Sequence, residues 1–145
     1  MASELIGKAY PATVYAVGRE KIREYAAAVG ETNPLYFEVD VARQAGHADV
    51  VAPPMFAVVY AGRSVMQGIF DPELGIDFAH LVHGAQEFRW GPLVLAGDEI
   101  ATTTSVKEIS ARRELSFYVF ESRSQNQRGE TVCTGTWTNI VRTAQ

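Results

Sequence analysis

The chain has little cysteine, no excess of positive charge and no long apolar run, and each shortage excludes a class of protein. Its 145 residues include one cysteine, Cys133, which rules out an intramolecular disulfide and a cysteine-rich zinc site. The net charge of −4 argues against nucleic acid and anionic membranes as main partners. The longest apolar run, MFAVVYAG, is too short to span a bilayer, and MASELIGKAY lacks the apolar segment of a signal peptide. We therefore expect a cytoplasmic protein.

Familiar cofactor-binding and hydrolase motifs are also missing. The sequence contains no G-x-G-x-x-G, no G-x-x-x-x-G-K-[ST] and no G-x-S-x-G. His47, His80 and His83 lack metal-ligand spacing, because His80 and His83 lie three residues apart in loop-like sequence with no third ligand in view. We therefore predict neither a metal site nor a cofactor.

The chain contains enough apolar residues to form one folded domain over residues 1–145. Apolar residues make up 47% of the chain and charged residues 21%, which is typical of a globular protein. Apolar residues at positions 22, 25, 26 and 29 predict an amphipathic helix that Gly30 ends. A second helix, predicted over about 54–68, is apolar nearly all round, so we expect it to be buried on most sides.

From about residue 86 to 141 the apolar pattern has a period of two, which predicts a meander of antiparallel strands. In DEIATTTSV, for example, Ile100, Thr102, Thr104 and Val106 share one face. A curved antiparallel sheet wrapped round the apolar helix satisfies the whole pattern. The predicted fold class is therefore α+β.

One short segment, GETNPLY at positions 30–36, matches a known motif. It resembles the hydratase motif of the MaoC-like hot-dog family, Gly-Asp-x-Asn-Pro-[apolar]-His. The preceding helix, the following turn ending in Ala-x-x-x-Gly and the stretch VVAPPMF fit the same family, and HGAQEFRWGPLVLAGDEI is similar to its FAS1-like N-terminal dehydratase domain. The resemblance covers almost the whole chain. It is closest to small actinobacterial single-hot-dog proteins, including non-catalytic subunits of mycolic-acid dehydratases, and it implies a hot-dog fold.

The family's reaction is the reversible dehydration of a (3R)-3-hydroxyacyl thioester, so the resemblance implies a substrate carried by coenzyme A or an acyl carrier protein. In this reaction a base takes the α-proton, an acid protonates the leaving hydroxyl, and donors stabilise the enolate-like oxygen. The motif's Asp and His transfer these protons in the family. This chain has Glu31 and Tyr36 at those positions, with Asn33 between them.

Both replacements weaken proton transfer. Glu31 adds a methylene, and catalytic groups tolerate displacements of about 1 Å poorly. Tyr36 carries a phenol with an ordinary pKa of about 10, so at neutral pH it can donate a hydrogen bond but is a poor base. Either Glu31 and Tyr36 are remnants of a site, solvated or packed in place, or they form a working pair. Asn33 and Pro34 match the motif and can preserve the loop geometry.

The central helix and one hairpin offer candidates for substrate contacts. Apolar residues near the start of the helix could line an acyl tunnel, although apolar side chains at helical spacing are more often ordinary core. Arg112 and Arg113, in the hairpin SARRE, could meet the phosphate of a coenzyme or carrier protein, although two exposed arginines in a turn usually bind nothing specific. The tunnel candidates are Pro54, Met55, Phe56, Val59 and Tyr60.

Three functions remain open. The first is the acyl-binding, catalytically degenerate subunit of a heterodimeric dehydratase of fatty-acid metabolism, whose MaoC-like partner supplies the Asp/His pair. The second is a self-sufficient enoyl-thioester hydratase/dehydratase, or a thioesterase that uses Glu31 to activate water. The third is a homodimeric module that binds acyl thioesters without turnover. Because a curved sheet has edges and an exposed edge favours pairing, we expect a dimer, with a second copy or with a homologue.

Overall fold

Five antiparallel strands form one sheet, and the longest helix packs across it. The computed structural model describes residues 2–142. The strands are β1 (Thr13–Ala16), β2 (Leu81–Trp90), β3 (Glu99–Arg112), β4 (Leu115–Gln125) and β5 (Thr131–Arg142), and the helices are α1 (Arg19–Ala28), α2 (Val39–Gln44) and α3 (Ala57–Ile69). The strand order is β1-β3-β4-β5-β2, and each neighbouring pair is antiparallel. This layout confirms the predicted α+β class. No helix in this part of the chain is long and apolar enough to cross a bilayer.

Alternation along β3 places its apolar and threonine side chains under α3. Ile100, Thr102, Thr104 and Val106 are all buried, as the period of two predicts. The hydroxyls in this row need partners, because a buried polar group without a hydrogen bond is costly. Ser64 of α3 accepts a hydrogen bond from the Thr104 hydroxyl at 2.8 Å and donates to the carbonyl of Thr102 at 3.2 Å. The Thr102 hydroxyl lies 2.8 Å from that of Ser124 on β4, so a chain of hydroxyls joins helix and sheet.

The sheet side of α3 is tightly packed. The helix buries a row of small and apolar residues against the sheet, and Gly68 lies so close to Phe120 of β4 that a Cβ there would be 2.3 Å from the ring. Phe120 itself is fully buried. Glycine therefore permits the close approach of helix and strand. The buried residues of α3 are Ala57, Tyr60, Ala61, Ser64, Val65, Gly68 and Ile69.

The opposite side of α3 is open, so the helix is not enclosed on every side. Arg63 is exposed, Met66 is 38% exposed and Phe70, just after the helix, is 58% exposed. Phe70 contacts Phe78, which is also exposed, with ring centroids 5.0 Å apart. We call Met66, Phe70 and Phe78 the open apolar patch. Exposed apolar side chains that contact one another can form part of a surface that binds another molecule.

Two element boundaries differ from the sequence-based expectation. The first turn before α3, Pro54–Phe56, is a 3-10 turn, and α3 then runs to Ile69. Strand β2 begins at Leu81, before the expected position near 86, so His83 lies in a strand and its ring stacks on Trp137. Pairing with β5 extends β2 through a bulge between His83 and Ala85, and this irregularity hides the period of two.

The two edges of the sheet are covered to different extents. At one edge, β1 is short, and the segment before it runs beside β3 through hydrogen bonds from the amides of Gly7 and Tyr10. The side chain of Asp71 ties this segment to the loop after α3, because it accepts hydrogen bonds from Lys8 at 2.6 Å and the Tyr10 hydroxyl at 2.7 Å. At the other edge, β2 pairs with β5 alone, and no strand among residues 2–142 covers its outer side.

Candidate functional site

The motif segment begins where α1 ends, and the helix cap fixes its position. Gly30 has a φ of 79°, a left-handed conformation that glycine adopts at little cost. The amide of Gly30 donates to the carbonyl of Ala27, and the amide of Glu31 donates to that of Ala26 at 2.8 Å. This pair of hydrogen bonds is a Schellman cap. The backbone of Glu31 is therefore held against the end of α1, while its carboxylate is exposed.

Asn33 shapes the turn that presents Tyr36. Its side-chain oxygen accepts a hydrogen bond from the amide of Leu35 at 3.0 Å, and its carbonyl accepts one from the amide of Tyr36 at 3.0 Å. Pro34 is the first residue of this 3-10 turn, where a missing amide hydrogen costs nothing. Asn33 and Pro34 thus have a local role in the turn.

Glu31 lies close enough to Tyr36 to act on it electrostatically. Tyr36 is half-buried and packs against the core. Burial raises the pKa of the Tyr36 phenol, and the negative charge of Glu31 raises it further. The pKa of Tyr25 is raised in the same way, first by burial and then by Glu31. At neutral pH both phenols keep their protons, so Tyr36 can donate a hydrogen bond beside an exposed carboxylate.

A short extended segment connects the motif turn with the loop after β2. The amide of Val51 donates to the carbonyl of Leu35 at 2.9 Å, and the amide of Ala52 donates to that of Val94 at 2.8 Å. Backbone hydrogen bonds therefore connect the motif turn, this segment and the loop around Val94 near the start of α3.

An apolar cleft of about 180 Å³ lies beside this segment and the loop around Val94. The cleft lies between the start of α3 and the end of β2, where the indole nitrogen of Trp90 donates a hydrogen bond to the carbonyl of Pro54 at 2.9 Å. No charged side chain lines it. The lining residues are Ala52, Pro53, Pro54, Tyr60, Trp90, Gly91, Pro92, Leu93, Val94 and Val132.

Two of the five predicted tunnel residues, Pro54 and Tyr60, line this cleft. The structure places Phe56 in the core, fully buried, with the edge of its ring on Tyr25 at a centroid distance of 5.5 Å. Val59 is partly buried against the core, and Met55 is 46% exposed outside the cleft. For Phe56 the ordinary core interpretation of the helical apolar pattern therefore applies.

The residues that form the outer wall of the cleft were not predicted from the sequence. Trp90 and Leu93 are 50% and 53% exposed, although they flank a cleft. The period of two from about residue 86 predicts Trp90 only as a packed residue on a strand. The signal that could have identified it is the following Gly91-Pro92, which ends the strand and turns the chain over the start of α3.

The ionisable groups at the buried floor of the cleft are held in their protonated, less reactive forms. Burial raises the pKa of the Tyr60 phenol above its usual value, and the neighbouring Cys133 raises it further. Burial also raises the pKa of the Cys133 thiol, so the thiolate, the nucleophilic form, is disfavoured. Among residues 2–142, no three His, Cys, Asp or Glu side chains are grouped in a way that could hold a metal ion.

Comparison with known proteins finds similarity along nearly the whole chain. A family model described as FAS1-like, dehydratase domain region, matches residues 4–135. A UPF0336 protein of Leifsonia xyli subsp. xyli is 45% identical over 139 residues, which cover 95% of this chain and 93% of that protein. A UPF0336 protein of Streptomyces coelicolor is 40% identical over 141 residues, which cover 97% and 93% of the two chains.

Solved structures show the same fold. A chain of the C-terminally truncated HadBC complex, a (3R)-hydroxyacyl-ACP dehydratase from Mycobacterium tuberculosis, superposes with a TM-score of 0.81 at 26% identity, covering 97% of this chain and 99% of that one. A MaoC-like dehydratase superposes with a TM-score of 0.86 at 24% identity, covering 99% of this chain and 44% of its own length. These likenesses confirm the predicted hot-dog fold. With the family model matching most of its length, the chain belongs to the family of FAS1-like dehydratase domains.

Proposed function

We propose that the chain is the acyl-binding subunit of a dimeric (3R)-hydroxyacyl-thioester dehydratase, with a degenerate proton-transfer site of its own. The observation that carries this proposal is the state of Tyr36. Burial and the charge of Glu31 both raise the pKa of its phenol. A general base works best when its pKa lies near the operating pH, and a phenol that holds its proton through neutral pH does not meet this condition.

The apolar cleft supports a role in binding the acyl chain. Small-molecule sites typically have volumes of roughly 300–1,000 Å³. The cleft, at about 180 Å³, is smaller than that and open to solvent along Trp90 and Leu93. A second subunit would extend and close it, so that a longer acyl chain is removed from water.

The exposed surfaces support a partner of the same fold. The outer edge of β2 offers unpaired backbone groups, and Phe78 of the open apolar patch lies three residues before the first residue of β2. A strand paired with β2 would form hydrogen bonds with the unpaired backbone groups of this edge and cover Val82. Two of the solved relatives of this fold are described as complexes, HadBC and ChsH1-ChsH2 from Mycobacterium tuberculosis. In our proposal the partner is a MaoC-like subunit with an intact Asp/His pair.

The proposed division of chemistry follows from these surfaces. The partner's Asp and His take the α-proton and protonate the leaving hydroxyl. This chain holds apolar carbons of the substrate at Pro54, Tyr60 and Trp90. Tyr36, as a neutral donor, orients polar groups near the motif turn. Since no proton leaves Glu31 or Tyr36 in this scheme, neither residue has to titrate near neutrality.

A second candidate, in which this chain acts alone, has one observation in its favour. Glu31 presents an exposed carboxylate next to the protonated phenol of Tyr36, and such a pair could hydrate an enoyl thioester or direct water at a thioester. A homodimeric module that binds acyl thioesters without turnover is the third candidate. The second candidate differs from the main proposal in what the purified chain does by itself, and the third differs in that the chain adds nothing to the activity of a MaoC-like partner.

The deciding experiment measures hydration of crotonyl-CoA and longer enoyl thioesters by this chain, by a MaoC-like partner, and by the two together. The proposal predicts no turnover by the chain alone and higher activity on long substrates for the mixture than for the partner alone. Glu31→Gln in this chain should leave the activity of the mixture unchanged. A kcat of about 1–10³ s⁻¹ for the chain alone, lost in Glu31→Gln or Tyr36→Phe, would instead establish the second candidate. Binding without any gain in the mixture would support the third.

A further inference from the structure

One side of α3 carries a single charged residue in a row that is otherwise apolar or glycine. Residues three or four apart point to the same side of a helix. In this row Arg63 and two apolar residues are exposed, and the other two members are half-buried. At a rise of about 1.5 Å per residue the row is roughly 16 Å long. We call the row the open side of α3, and its members are Val59, Gly62, Arg63, Met66 and Phe70.

Gly62 lies in the middle of this row, and no contact within the chain explains it. A Cβ there meets no atom within 4 Å, whereas a Cβ at Gly68 would meet the ring of Phe120. The backbone of Gly62 is helical, so its φ does not require glycine either. Glycine inside a helix is less stable than alanine, but it lets another backbone approach closely. Gly62 therefore marks the point at which a second molecule comes nearest to α3.

Arg63 has no counter-ion in this surface. It is the only charged residue between Val50 and Phe70, so α3 contains no carboxylate. Within residues 2–142, its guanidinium forms no ion pair with a carboxylate. A molecule that covers the open side of α3 takes this charge out of water, which is costly unless the charge is paired. The occupant therefore has to bring a carboxylate that accepts hydrogen bonds from the guanidinium.

A second copy of this chain does not meet that condition. Two copies related by a two-fold axis contact each other through the same surface. If the axis passes at Gly62, the two Arg63 side chains come close together, and like charges at an interface oppose binding. The carboxylates of the loop after α3 already have partners within their own chain: Asp71 and Glu73 pair with Lys8, and Asp77 pairs with His80.

A partner of the same fold but of different sequence fits this surface better. Phe70, at the end of the row, contacts Phe78, which lies three residues before the first residue of β2. A short segment thus links the open side of α3 to the sheet edge at which the proposed partner pairs, and one subunit can contact both. Such a partner can carry a carboxylate opposite Arg63, which α3 of this chain lacks.

We propose that the open side of α3 recognises a partner subunit of the same fold, with Gly62 at the point of closest approach and Arg63 paired with a carboxylate of that partner. The same arginine disfavours a second copy of this chain. Specificity of this kind comes from a charge that the wrong partner leaves unpaired. The inference rests on the proposed function, because it takes the MaoC-like partner from there.

Sedimentation equilibrium over a concentration series tests the discrimination with this chain alone. Arg63→Leu removes the like charges and should strengthen self-association by about tenfold or more. A mixture of the wild type with Arg63→Glu should associate more tightly than either protein alone, because only the mixture brings opposite charges together. Weaker self-association of Arg63→Leu than of the wild type, or a mixture no tighter than its components, overturns the inference.

Arg123→Glu is the matched control for the mixture. Arg123 is exposed on β4, and its neighbours Ser122 and Ser124 are buried. Because side chains alternate along a strand, Arg123 lies on the face of the sheet away from α3. A mixture of this variant with the wild type should associate no more tightly than the wild type does alone. If the control tightened association as much as Arg63→Glu, net charge would be the cause and the inference would fail.

The complex with a MaoC-like subunit tests the same surface by calorimetric titration. Arg63→Leu should raise Kd by about tenfold or more, because it leaves the partner's carboxylate unpaired at the interface. Gly62→Leu should weaken the complex by preventing the close approach. Gly62→Ala should raise the Tm of the chain alone and weaken the complex, two opposite effects that a purely structural residue would not show. A complex that tolerates both Arg63→Leu and Gly62→Leu overturns the inference.

Activity separates this inference from the proposed function. A complex that both variants weaken, but that does not hydrate enoyl thioesters, supports the recognition surface and contradicts the proposed function. An active complex whose Kd is the same in both variants as in the wild type supports the proposed function and overturns the recognition surface.

Discussion

The contact between Gly68 and Phe120 allows the fold to be tested with a single methyl group. Gly68→Ala would place a Cβ 2.3 Å from one ring carbon of Phe120 and 2.8 Å from another. Carbon atoms normally approach to about 3.5–4.0 Å, and Phe120 has no exposed surface into which it could move. Overpacking of a core costs about 1–3 kcal/mol. Alanine regains about 1 kcal/mol of helix propensity, so we expect a net loss of up to about 2 kcal/mol in the free energy of unfolding.

Gly62→Ala is the matched control, because Gly62 is in the same helix and a Cβ there meets no atom within 4 Å. It should gain about 1 kcal/mol from helix propensity alone. Urea unfolding at one fixed protein concentration measures both variants, since dimerisation would make the result depend on concentration. If Gly68→Ala proved as stable as Gly62→Ala, the close packing of α3 on β4 would be wrong.

Three further predictions concern ionisable groups. Lys8 and Tyr10 lower the pKa of Asp71, so the carboxylate stabilises the fold above its unfolded pKa of about 3.9 and loses this effect as the pH falls through the lowered value. Unfolding curves at pH 7 and in acid should therefore show that Asp71→Asn costs about 1–3 kcal/mol at pH 7 and nothing in acid. Glu31→Gln should lower the pKa of Tyr36, because it removes one of the two causes that raise it. The ultraviolet titration of Tyr36 is the difference between the protein with and without Tyr36→Phe, measured once with Glu31 and once with Glu31→Gln; equal pKa values in the two backgrounds would refute the electrostatic contact. Glu31→Asp with Tyr36→His should raise hydration of crotonyl-CoA by the chain alone by about 10²–10⁴-fold, each single change doing less; no gain in a folded double variant would indicate that the degenerate pair is not what limits turnover.

Periodicity predicted the parts of the fold in which one side of an element faces the core along its whole length. The alternation of Ile100, Thr102, Thr104 and Val106 placed β3 correctly, and Gly30 marked the end of α1 because it is needed in a left-handed conformation. The motif around Asn33 also indicated a turn, and the hydrogen bond from the amide of Leu35 to the side chain of Asn33 lies within that turn.

The rest depended on contacts between distant parts of the chain. An apolar pattern all round α3 indicated burial, but it carried no information about which side of the helix would be exposed. The side that carries Met66 is open. For the same reason Phe56 could not be distinguished from Tyr60, since both are apolar positions at the start of one helix. The cleft exists because the chain after Trp90 turns back over that start, and strand pairing with β5 determines where Trp90 lies.

The chain of hydroxyls between α3 and the sheet has a consequence for how the helix is aligned. Apolar contacts are not directional, so they restrain the position of a helix along a sheet less specifically than hydrogen bonds do. The bonds from Thr104 to Ser64 and from Ser64 to the carbonyl of Thr102 are directional, and a shift would leave buried oxygens without partners. These hydrogen bonds therefore fix the position of α3 along β3. The start of α3, and with it the floor of the cleft at Tyr60, therefore keeps its position even when the surrounding apolar residues are replaced by other apolar residues.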